Sequence, residues 1–257
     1  MANVREAEAA ILKTKYPLLL VPGAIIRKFL FLRPFGRIDR ELRRMGYDAR
    51  VVKVDGVGTV ENNAAMLKEQ LAEIVRKDGC GKVNLIAYSK GGLDARYLIE
   101  SLGGSHLVAS LTTLCTPHRG SPIASGFLDL PRWMVRFFCW NMNVLYKIAG
   151  DRHPDALAAC RQIADKEDRG PVPGPVSGVL CRSFSATRRK KGAGTEECET
   201  DGFVSHASAA YGEYCGVCIE GSVGHLDLVD FWAGRKTRKK VIDFYAKLCA
   251  ELAERGL

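Results

Sequence analysis

The segment Asn84-Leu-Ile-Ala-Tyr-Ser89-Lys-Gly91-Gly92 constrains this chain more than any other feature. An apolar run of strand type enters Ala87-Tyr-Ser89-Lys-Gly91, and helical periodicity begins at once on the far side. Small residues two before and two after the serine let the chain turn without a Cβ clash. Such a turn lifts the hydroxyl above the end of a sheet and places it at a helix N-terminus. A serine that merely capped the helix would need neither small neighbour. Nor would it need Gly91-Gly92 in the first turn, where glycine costs about 1 kcal/mol relative to alanine. Ser89 therefore reads as a nucleophile, with Ala87 standing where glycine is commoner.

The rest of the chain has the pattern such a turn requires. Short apolar runs at 18–21, 50–54, 82–87 and 110–114 read as buried strands. Helical patterns at 35–45, 61–75 and 91–102 lie between them. Regular alternation implies right-handed βαβ units and a doubly wound, mostly parallel α/β sheet. Two further strands are expected at 178–184 and 214–220, and a closing amphipathic helix at 239–252. Residues 119–168 break the alternation with Trp133, Met134, Phe137, Phe138, Trp140, Met142 and Tyr146, then a polar helix at 155–164. Too long for a bare loop, this stretch reads as a helical insertion, either a lid or a static cap, within one domain of 257 residues. Residues 170–175 form a stiff Gly/Pro connector back to the sheet.

A nucleophilic serine needs a base and an orienting acid, in the chain order Ser, acid, His for a sheet of this kind. His106 and His118 flank the fourth strand, His153 belongs to the insertion, and His206 precedes the last strand. His225 follows that strand in Gly221-Ser-Val-Gly-His225, where the base is expected. Asp201 follows the preceding strand, and Gly202 permits a sharp turn that aims its carboxylate along the sheet edge. Asp227 is the rival acid, better suited so near His225 to shaping a loop or binding an ion. Two backbone amides should hold a developing oxyanion, that of Lys90 after the nucleophile and that of Ala24 in Val21-Pro-Gly23-Ala24.

Composition bounds the alternatives. An apolar content of 47% suffices for a large core, and no run approaches the ~18 apolar residues of a spanning helix. The net charge of +9 comes partly from Arg188-Arg-Lys-Lys191 and Arg235-Lys-Thr-Arg-Lys-Lys240. These runs lack interleaved aromatics, so no nucleic-acid partner is expected. The first eight residues carry acids and no apolar core of a leader, so a cytoplasmic chain with reduced thiols is expected. Cys215-Gly-Val-Cys218 has no second pair at metal spacing, which argues against a zinc or redox centre.

The motifs together resemble bacterial triacylglycerol lipases of the Pseudomonas and Burkholderia type, within the α/β-hydrolase superfamily. The resemblance rests on Tyr16-Pro-Leu-Leu-Leu-Val-Pro-Gly23, residues 82–92, Thr116-Pro-His-Arg-Gly-Ser121, Asp201-Gly-Phe-Val-Ser205 and His225-Leu-Asp-Leu-Val229, in the family's order. It implies a serine ester hydrolase acting on lipid or small esters, with Ser89, Asp201 and His225 as triad and Ala24 and Lys90 as oxyanion donors. It also implies a lid at 119–168 that meets lipid surfaces, and no cofactor. Pro22 stands where the family has histidine, and Ala-Tyr-Ser-Lys-Gly where it has Gly-His-Ser-Gln-Gly. Asp227 matches one ligand position of the family's structural calcium, while residues 170–200 contain no aspartate for the other. An acyltransferase using the same triad, or a non-catalytic lipid-binding homologue, is the alternative to hydrolysis.

Overall fold

A computed structural model describes residues 13–24, 33–164, 174–188, 200–231 and 233–257. The chain runs β1 (Leu18–Val21), α1 (Ile38–Arg44), β2 (Ala49–Val51), α2 (Val60–Asp78), β3 (Val83–Tyr88), α3 (Lys90–Glu100) and β4 (Val108–Leu114). Three helices follow, α4 (Pro122–Leu128), α5 (Arg132–Ile148) and α6 (Ala156–Ile163). The sheet resumes with β5 (Leu180–Ser185), a short α7 (His206–Ala209) and β6 (Glu213–Val217), and α8 (Arg235–Glu254) closes the chain. The six strands are ordered β2-β1-β3-β4-β5-β6, and every pairing is parallel.

The continuous apolar runs follow from two-sided burial. Successive side chains of a strand point to opposite faces. Leu18, Leu20 and Ile86 pack on one face with Ile38 and Leu42 of α1 and Val241, Tyr245 and Leu248 of α8. Leu19, Val21, Leu85 and Ala87 pack on the other with Leu67 and Leu71 of α2 and Ala95 and Leu98 of α3. Each fully buried leucine contributes roughly 1.5–3 kcal/mol, so these strands hold the sheet end rigidly beneath Ser89.

Some boundaries differ from the sequence expectation for local reasons. Strand β2 stops at Val51, because Asp55 leaves the sheet to exchange backbone hydrogen bonds with the Asn63 amide group. Strand β6 stops at Val217, after Gly216 turns to φ +78°. Helix α8 begins four residues early, at Arg235, where a first turn of positive charge hid the apolar stripe. Residues 165–173 and 189–199, which include part of the expected Gly/Pro connector and of the first basic run, lie outside the described residues.

The insertion has a small core of its own. Val135, Cys139 and Tyr146 of α5 pack with Val57 and Ala156. The opposite face of α5 leaves Trp133, Phe137, Trp140, Val144 and Ile148 exposed, Trp133 by 71% and Ile148 by 81%. Their three- and four-residue spacing makes one apolar stripe. No described helix is long and apolar enough to cross a membrane.

Candidate active site

Ser89 joins β3 to α3 at φ 53° and ψ −129°, a backbone state costing of order 1–3 kcal/mol outside glycine. Its surroundings hold it there. The Ser89 amide donates to Leu114 O at 2.9 Å, and the Thr116 hydroxyl donates to Ser89 O at 2.8 Å. The glycines are required by close approach: a Cβ on Gly91 would collide with Pro22 O, and one on Gly92 with the Thr116 side chain. A Cβ on Gly23 would stand 2.8 Å from that of Ser89 and 3.0 Å from Tyr88 O. The loop after β1 thus lies against the serine, with Ala24 one residue beyond that contact. Lys90 opens α3, so its amide is among the first-turn N–H groups that have no partner within the helix.

The structure brings Ser89, His225 and Asp201 into one hydrogen-bonded row. His225 Nε2 lies 2.9 Å from Ser89 Oγ, and Nδ1 lies 2.6 Å from Asp201 Oδ2. An ionised carboxylate only accepts, so Nδ1 carries the proton and Nε2 is left to accept from the serine hydroxyl. Asp201 is held in turn by its own loop: Oδ1 accepts from the Phe203 amide at 2.8 Å and the Val204 amide at 2.7 Å. Gly202 at φ +101° makes that turn possible. Burial alone would raise the Asp201 carboxyl, but the hydrogen bond and charge of His225 and the two amides outweigh it, and the net shift is downward.

The imidazole is held by two aromatic rings and through its backbone. Tyr88 and Phe203 lie 4.9 and 5.0 Å from its ring centroid. The Tyr88 hydroxyl donates to His225 O at 2.8 Å, and the His225 amide donates to Asp201 O at 3.2 Å. His206, by contrast, packs at the start of α7 with Nε2 near Ala186 O and Thr187 Oγ1.

Asp227 accepts from the Gly224 amide at 2.9 Å, which shapes the turn that presents His225. Among the described residues, no group of three His, Cys, Asp or Glu side chains within ligand distance includes Asp227. Its carboxylate is committed to the loop, and the described residues do not assemble a structural calcium site around it.

Sequence reasoning took Lys90 for its amide alone. Its side chain is 1% exposed, and Nζ lies 2.6 Å from Asp94 Oδ1, also 1% exposed. Asn63 donates to the other Asp94 oxygen at 2.9 Å. Burial pushes the Asp94 carboxyl up to about 6, against the opposing pull of Lys90 and Asn63. The four-residue spacing of Lys90 and Asp94 was the available signal. Tyr88 and Thr116, which the sequence motifs contained without a role, also meet the site, as does Cys115, which no motif marked.

No family model matches the chain. Triacylglycerol lipase 2 of Saccharomyces cerevisiae is 28% identical over 255 residues, covering 85% of this chain and 73% of that protein. Triacylglycerol lipases of Pseudarthrobacter phenanthrenivorans and Burkholderia plantarii are each 31% identical over 163 residues, covering 58% of this chain. The chain spans 50% and 45% of those two bacterial relatives. Among solved structures, a Bacillus licheniformis lipase superposes with a TM-score of 0.59 at 20% identity, with 92% of both chains covered. A metagenomic carboxyl esterase superposes with a TM-score of 0.61 at 16% identity, covering 95% of this chain and 75% of that one.

Proposed function

We propose that this chain, which has the α/β-hydrolase fold and triacylglycerol lipases among its sequence relatives, hydrolyses lipid esters through an acyl-enzyme on Ser89. The observation that carries this reading is the row Asp201–His225–Ser89 at a strained strand-to-helix turn. His225 Nε2 takes the Ser89 proton as Oγ attacks the ester carbonyl, and the amides of Lys90 and Ala24 receive the oxyanion. The imidazolium, stabilised by Asp201, then protonates the departing alcohol. Water attacks the acyl-serine by the same steps in reverse, restoring the free hydroxyl.

The exposed stripe of α5 supports a lipid rather than a freely soluble ester. Its aromatic side chains stand beside Arg132 and Arg136 on the same helix, a combination suited to lying on an anionic lipid surface. This contact need not close or open the site, and both a lid and a fixed cap would use it.

Ser89→Ala tests the chemistry. The variant should fold as the wild type does, lose reaction with a fluorophosphonate probe, and lose p-nitrophenyl butyrate turnover by about 10⁵-fold or more. Retained turnover would remove Ser89 from the mechanism. Product analysis with an added alcohol acceptor separates hydrolysis from acyl transfer.

A further inference from the structure

Tyr88 ends β3 and stands where the lipases that this chain resembles have histidine. Its side chain is buried in the same core layer as Leu20, Ile86 and Leu114. The phenol does not end among them. Its hydroxyl reaches the loop of the base and donates to His225 O at 2.8 Å, joining residues 137 positions apart in the chain. The ring meets the imidazole as well, with centroids 4.9 Å apart.

The two ends of this bond differ in how firmly the fold holds them. Tyr88 precedes Ser89 in the chain, on a strand paired with β1 on one side and β4 on the other. His225 lies in no strand. It opens a short 3-10 turn, in a loop that passes through Gly221 at φ +99° and Asp230 at φ +55°. Its amide donates to Asp201 O at 3.2 Å, and its carbonyl accepts from Tyr88. The peptide of the base is thus bonded to the backbone of the acid and to the side chain next to the nucleophile. Burial holds the Tyr88 phenol well above its ordinary range, so the donor persists wherever the imidazole titrates.

We propose that Tyr88 is a positioning residue, whose hydroxyl ties the His225 peptide to the strand carrying Ser89 and so sets the reach from Nε2 to Oγ. The inference rests on the reading of Ser89 and His225 as nucleophile and base. The competing account is that Tyr88 fills the core and its hydroxyl only satisfies a buried carbonyl. Both accounts expect a less stable protein without the hydroxyl, and they differ on rate. A misplacement of about 1 Å at a reacting contact can cost about 10²-fold, so a loosened base should cost a measurable part of that.

Tyr88→Phe keeps the ring and removes the donor. It should lower kcat on p-nitrophenyl butyrate about tenfold with KM unchanged, and slow fluorophosphonate labelling of Ser89 by about the same factor. The low-field proton resonance of the Asp201–His225 hydrogen bond should persist, since Nδ1 keeps its partner. Wild-type kcat and labelling, with only the melting temperature lowered, would assign the hydroxyl to stability and overturn the proposal. A raised KM with kcat kept would also overturn it, by placing the phenol against the substrate. Loss of the resonance would do the same, because the phenol would then be holding the acid–base bond instead of the Ser89 contact. A wild type that labels but hydrolyses no ester would overturn the functional reading alone, with the labelling rates still testing Tyr88.

Discussion

Asp94→Asn probes whether desolvation or ion pairing dominates beneath the nucleophile. Asp94 and Lys90 are each 1% exposed, and the ion pair they form lies one helical turn from Ser89. Taking two charges out of water can cost more than their attraction returns. The Asp94 carboxyl, raised from 3.8 to about 6, says that here it does. Between about pH 4 and 6 the folded carboxyl keeps a proton that the unfolded one has released. The folded state therefore binds more protons in that window, and stability falls as pH rises through it. Two pH units correspond to about 3 kcal/mol. Asparagine cannot ionise, so the variant lacks this slope. Urea denaturation of both proteins at pH 4, 5, 6 and 7 isolates this pair, because titrating groups away from Lys90 and Asp94 cancel in the difference. Wild type should lose about 3 kcal/mol relative to Asp94→Asn across the series. Lys90→Met should extend the loss above pH 6, since the carboxylate then has no cation beside it. A flat difference, or one in which wild type gains as pH rises, would refute the reasoning and show that the Lys90 ammonium more than offsets burial.

Asp201→Asn should lower kcat on p-nitrophenyl butyrate by about 10⁴-fold with little change in KM, since it removes the charge that fixes the imidazole. The Asp201 carboxyl is held low. Its contribution to stability is thus present above about pH 4 and lost as pH falls through the folded value, and denaturation midpoints below pH 4 should fall less steeply in the variant. Gly23→Ala sets a methyl 2.8 Å from the Ser89 Cβ, so kcat should fall by about 10²-fold with a smaller effect on thermal stability. Phe137→Lys, on a residue 57% exposed, should reduce hydrolysis of emulsified tributyrin about tenfold and spare a soluble acetate ester.

The parts legible in sequence were those written in local spacing. Ala87, Ser89 and Gly91 mark the turn because a Cβ at Gly91 meets the Pro22 carbonyl. The runs at β1 and β3 mark buried strands because each alternate residue meets a different helical layer. Chain order pointed to Asp201 and His225, and the fold sets them 2.6 Å apart although 24 residues separate them. What was not legible depends on register between strands. Cys115 and Thr116 reach Ser89 and Asp201 because β4 pairs with β3 so that Leu114 stands opposite Tyr88. The motif at 116–121 flags the segment, but its spacing does not encode that alignment. The Lys90–Asp94 spacing was visible, but a helical Lys–Asp pair ordinarily faces solvent, and its burial follows from α3 lying against the sheet and α2. The early start of α8 was hidden by charge, because Arg235 to Lys240 place cations where the helix dipole disfavours them.

Asp55 joins the insertion to this buried polar region. Asp55 Oδ1 accepts from the Arg152 amide at 2.9 Å and Oδ2 from the His153 amide at 2.7 Å. The Asp55 backbone in turn binds Asn63, which binds Asp94, which binds Lys90. Hydrogen bonds to a charged group contribute about 1.5–3 kcal/mol each, so releasing residues 151–153 costs several kcal/mol before any apolar contact is broken. At its other end, α5 starts after Pro131 without a side-chain cap hydrogen bond. We propose that, if α5 moves as a lid, it pivots about 151–153 and swings the Trp133 end. Hydrogen exchange tests this directly. The Arg152 and His153 amides should exchange at least 10²-fold more slowly than exposed backbone, and should keep that protection when tributyrin droplets are added. Asp55→Ala should abolish it. Deprotection of 152 and 153 by droplets, with the 130–134 amides unchanged, would place the hinge at the opposite end.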